Sequence, residues 1–71
     1  MDAKEWTAAF AQRLGTEPPT AEEFAQLLDL AAEAAHASER VAAPVACWVA
    51  ARAAVSPDQA LELARKVSAD G

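Results

Sequence analysis

The sequence predicts an all-α domain, a small four-helix bundle with a long second helix. Apolar residues recur at three- and four-residue spacings, and no segment shows the alternation of a strand. More than half of the 54% apolar content is alanine, the strongest helix former. Helix-start signals at Asp2, at Thr20-Ala21-Glu22-Glu23 and at Ser56-Pro57-Asp58-Gln59 divide the chain into helix-sized pieces.

The first helix is expected from about Ala3 to Leu14, with Asp2 as N-cap and Gly15 past its end, where a left-handed residue belongs. Trp6, Phe10 and Leu14 recur every four residues, which predicts one stripe facing the core. Thr16-Glu17-Pro18-Pro19 follows as a stiff connector, because two prolines withhold donors and restrict φ.

Thr20 and Glu23 form a capping box, so the second helix starts there. No stop signal precedes Ala43-Pro44, which predicts a helix of more than twenty residues as the axis of the fold. Phe24, Leu27, Leu28, Ala31, Ala34, Ala35, Ser38 and Ala42 fall on its broad apolar face, opposite Glu22, Gln26, Asp29, Glu33, His36 and Arg40.

Pro44 reads as the first residue of a third helix. From Val45 to Val55 that helix is apolar on every side except at Arg52. Such a helix is normally enclosed, yet three short companions can hardly surround it. Ser56 as N-cap, Pro57 at the first position and Gln59 in the capping-box position open the last helix. Its predicted buried stripe is Leu61, Ala64 and Val67, and Ser68 to Gly71 are expected to fray.

At 71 residues the chain forms a single domain, residues 1–71, too small for a second core or an enclosed catalytic cavity. A non-enzyme without cofactor or metal is the expectation. The net charge of −5 repels a phosphate backbone, which argues against nucleic acid. No signal-peptide pattern and no apolar run of spanning length is present, so a soluble, cytoplasmic protein without membrane association is expected. The lone cysteine fits a reducing compartment.

The stretch Ala34 to Arg52 holds the only His, the only Cys and one of two Trp. His36 and Arg40, one helical turn apart, form a candidate anion site in which Arg40 supplies a bidentate fork. The alternative is a solvated face whose acidic-to-basic progression suits the helix dipole. Glu33-x-x-His36 has di-iron spacing, but its partner carboxylates are not evident and such a pair arises by chance in many helices. Cys47 has no local base and reads as a small buried hydrophobe. Arg52, one turn after Trp48, can stack on the indole and reach across an interface, or extend into water.

These residues give the chain a resemblance to a known family. Trp6, Leu14-Gly15, the pattern L-x-L-A-x-x-A-A-H-x-x-x-R-x-A-A-P from Leu28 to Pro44, Trp48 and a Pro-led final helix together resemble a small all-helical bacterial domain family of unknown function. That family occurs alone or fused to the molybdenum cofactor guanylyltransferase that makes molybdopterin guanine dinucleotide. Its members tend to have Arg-Pro-Ala-Ala-Pro where this chain has Arg40-Val41-Ala42-Ala43-Pro44, and Gly near the positions of Ala51 and Val55. The resemblance implies a setting in molybdenum cofactor maturation or insertion, and no activity. In length and acidity the chain is also similar to acyl carrier proteins, but Ser38, Ser56 and Ser68 lack the Asp-Ser-Leu context of a phosphopantetheine site.

The expected function is a non-catalytic interaction module. Its third helix, with Trp48 and Arg52, meets a second copy or a larger protein, a molybdoenzyme or its maturation factor, and the candidate partner- or ligand-binding residues are His36, Arg40, Pro44, Trp48 and Arg52. The alternatives are a binder of a phosphate- or sulfur-containing cofactor through His36 and Arg40, and a small obligatory subunit of an oxidoreductase.

Overall fold

A computed structural model describes residues 1–71 and contains four helices: α1 (Ala3–Leu14), α2 (Ala21–Ala37), α3 (Ala42–Arg52) and α4 (Pro57–Asp70). The fold is all-α, and none of its helices is long and apolar enough to cross a membrane. The caps follow local chemistry. Asp2 with Glu5, and Thr20 with Glu23, each complete a reciprocal capping box. At α4 the Ser56 hydroxyl accepts from the Gln59 amide and Pro57 occupies the first turn. Gly15 closes α1 at φ 79°, and the Thr16 amide reaches back to the Ala11 carbonyl, the bond of a Schellman ending.

The second helix is the longest at 17 residues but ends at Ala37, six residues short of the expected Ala43. The Ser38 hydroxyl donates to the Ala34 carbonyl at 2.7 Å, the same oxygen that accepts from the Ser38 amide. Ser38 then leaves helical geometry at φ −137° and ψ −95°. Pro44 could not have donated to Arg40 in a continuous helix, and the Arg40 carbonyl instead accepts from Ala43. Consequently Pro44 is the third residue of α3 rather than the first. Its absent amide still falls among the donors that a first turn leaves unpaired.

α2 is the hub on which both α3 and α4 pack. Leu30, 3% exposed, forms the small core with Ala60 and Leu61, and Leu27, Cys47, Ala50, Val55 and Ala64 pack around it. Leu30 was absent from the predicted face of α2, whereas Leu28, placed on it, is exposed. On α4, Leu61 is buried and Ala64 half-buried, but Val67 is exposed, so only part of the predicted stripe is internal. The predicted fraying beyond Ser68 is replaced by helix through Asp70. Ser68 anchors this last turn by donating to Glu33 of α2 at 2.6 Å.

α1 departs most from expectation. Trp6 and Phe10, expected in the core, are 54% and 50% exposed, and Leu14 is exposed too. The helix turns Ala11 and Thr7 inward, with the Lys4 ammonium 5.8 Å from the centre of the Phe24 ring. Gly15 reverses the chain at the end of α1, and Pro18 and Pro19 line a shallow hollow with Thr7 and Ala8 of α1 and Phe24 of α2. The molecule is correspondingly extended, 38 × 23 × 18 Å, with a radius of gyration of 12.5 Å. A compact domain of this length has a radius of roughly 11 Å.

Candidate functional site

The third helix is sorted by size. At 100° per residue, Ala43, Ala46, Cys47 and Ala50 form one side, and all four are at least partly buried. The Cys47 thiol lies 3.9 Å from the Leu27 carbonyl, showing how closely this side meets α2. Burial pushes that thiol above its ordinary pKa, which keeps it protonated and a poor nucleophile at neutral pH. Val41, Val45, Trp48 and Val49 form the other side, and all are exposed.

Between α3 and α4 this outward side opens into a groove of about 440 Å³. Val45, Val49 and Ala53 form one wall, Leu63 and Val67 the other, and Leu30 lies at its floor. All twelve lining residues are hydrophobic, so nothing within it can orient a polar ligand by hydrogen bonding. The Arg52 guanidinium lies 5.1 Å from the Trp48 ring centre, and Trp48 is 61% exposed, so a cation–π pair stands exposed on α3, outside the groove lining.

The end of α2 at Ala37 separates His36 from Arg40. His36 occupies the last turn of that helix, Arg40 lies in the turn beyond it, and both are exposed. They therefore do not share the face of one continuous helix. Glu33, the other half of the E-x-x-H pattern, accepts from Ser68, and no group of three or more His, Cys, Asp or Glu is placed to hold a metal. Pro44 is exposed on the outer side of α3. Of the five candidate binding residues, Trp48 and Arg52 come together, while His36 and Arg40 lie on either side of the end of α2.

The family model described as a domain of unknown function, DUF6457, matches residues 1–70. The chain belongs to the DUF6457 family. No curated protein and no solved structure matches it. For this DUF6457 domain the inference from α3 thus rests on geometry, and the α4 half of the groove is the part that sequence reasoning missed. Its signal was present: Ala60, Leu63, Ala64 and Val67 occupy adjacent angles on α4, offset from Leu61. Two neighbouring apolar stripes on one short helix serve two surfaces.

Proposed function

We propose that this DUF6457 domain is a non-catalytic protein-interaction module whose docking surface is the groove between α3 and α4. The observation that carries the proposal is the open, wholly apolar lining of that groove in a chain whose larger side chains are mostly exposed. Exposed apolar surface of this extent is characteristic of protein contacts. An apolar groove between two helices suits the hydrophobic face of a further helix. Trp48 and Arg52, side-chain types that dominate binding energetics, add a second exposed feature on α3, outside the groove lining. The setting proposed for the module is the maturation of molybdenum cofactor or of the enzymes that carry it, supported by the H-x-x-x-R-x-A-A-P pattern from His36 to Pro44.

The experiment compares wild type with Val49→Glu, which places a charge in the groove wall at a half-exposed position. Light scattering reports self-association, and complexes with partners identified after affinity capture are rebuilt from purified components. The expected result is an association that wild type shows and Val49→Glu loses while its helix content stays unchanged. Associations equally strong in both proteins would refute the docking role of the groove.

A further inference from the structure

The geometry points to a second copy of this chain as the occupant of the groove: α1 of each protomer lays Trp6, Phe10 and Leu14 between α3 and α4 of the other. This inference rests on the docking role above and names its partner. The chain carries both halves of such a contact, a wholly apolar groove and an outward aromatic stripe. Trp6 and Phe10 already stack at 5.1 Å, so the stripe is ordered before it meets anything.

The dimensions agree. Trp6 to Leu14 is eight helical steps, about 12 Å of rise. The groove wall from Val45 to Ala53 has the same number of steps. A cavity of about 150 Å³ holds one benzene, and the groove's 440 Å³ accommodates three groups of that order, the number the stripe presents.

The area agrees as well. The chain exposes 5502 Å², whereas a compact monomer of 7.4 kDa exposes roughly 4,200 Å². The excess of about 1,300 Å² exceeds the ~800 Å² that each partner buries in a standard interface. Two-fold symmetry produces the stripe–groove contact twice and consumes both apolar surfaces of each copy.

Charge separates this occupant from a basic partner. Each copy carries −5, but no charged residue lines the groove, so repulsion acts between the surrounding surfaces. Salt screens such repulsion over about 8–10 Å. Added salt therefore strengthens the pairing of two copies, whereas it weakens binding of a basic protein.

The test is sedimentation equilibrium of the full chain at low and high salt, using wild type, a stripe variant (Trp6→Glu with Phe10→Glu) and the groove variant Val49→Glu. Helix content is checked by circular dichroism. Wild type is expected to dimerise more tightly at high salt, and each variant to lose affinity on the order of 100-fold. An equimolar mixture of the two variants is expected to recover a weaker heterodimer, because one intact stripe then meets one intact groove. Wild-type dimers unaffected by the stripe variant but lost with Val49→Glu would overturn the α1 assignment and leave the groove as a docking site. A monomeric wild type at every concentration and salt would overturn the second copy as occupant, while Val49→Glu in the capture experiment would still decide the groove's role. If a variant loses its helix content, Phe10→Ser and Val49→Thr provide milder forms of the same comparison.

Discussion

Truncating Leu30 and truncating Trp6 should rank in the reverse of the order that their sizes suggest. Leu30 is 3% exposed at the centre of the cluster with Ala60 and Leu61. Leu→Ala at buried positions costs about 2.7–5 kcal/mol, and because Leu30 also floors an open groove the lower part applies, about 3 kcal/mol. A domain of this length holds roughly 4–10 kcal/mol in total, so Leu30→Ala removes roughly 30–75% of it. Trp6 is a larger side chain, but it lies on the outward stripe and stacks on Phe10 of its own helix. Losing one such aromatic pair costs about 1 kcal/mol. The assay is urea unfolding followed by far-ultraviolet circular dichroism over serial dilutions, because self-association stabilises the folded state by mass action. At the dilution limit Leu30→Ala should lower stability by at least twice as much as Trp6→Ala. Equal losses there would refute the outward placement of the α1 stripe.

Three further outcomes follow from local features. Ala54, the only non-glycine residue at positive φ, sits at 60° in the turn between α3 and α4. Left-handed geometry costs an alanine about 1–2 kcal/mol, and glycine's greater chain entropy returns part of that. Ala54→Gly should thus raise the melting temperature by about 2–8 °C, and a lower melting temperature would refute strain at this turn. The Ser68–Glu33 bond ties α4 to α2. Ser68→Ala should cost about 1–2 kcal/mol, and a double-mutant cycle with Glu33→Ala that shows strict additivity would remove the bond as the cause. Cys47, whose thiol is pushed upward by burial, should react with iodoacetamide more slowly in the folded protein than in urea. Its contribution to stability is full below the unfolded thiol's pKa and is lost as pH rises through the higher folded value. Equal alkylation rates in both states would contradict this.

Much of the helix inventory was legible because caps are local. Asp2, Thr20, Gly15, Ser56 and Pro57 each act within one turn, and each stands where its side-chain chemistry placed it. The stop at Ala37 was not legible, since Ser38 sits in an alanine-rich run that reads as helix until its hydroxyl takes the Ala34 carbonyl. Periodicity also shows which residues share a face without showing which face turns inward. On α1 the more buried positions are Thr7 and Ala11, and on α3 they include Ala43, Ala46, Cys47 and Ala50, so on both helices small side chains turn inward while the aromatic and most of the larger aliphatic ones stay exposed. The excess of apolar surface on α3 was visible in the sequence. The α4 wall of the groove was legible only in part: Ala60, Leu63, Ala64 and Val67 share adjacent angles, but their role as a wall comes from the separation of two helices that both rest on α2.

The acidic excess has a consequence for how assembly ends. A stripe on one copy and a groove on another can, in principle, link molecules head to tail without limit. Every recruit adds five more negative charges, so elongation grows costlier while a ring of two satisfies both adhesive patches at once. In the proposed pairing the carboxylates act as a colloidal brake, and acidification toward the isoelectric point near 4.6 releases it, so that the exposed apolar surfaces favour precipitation there.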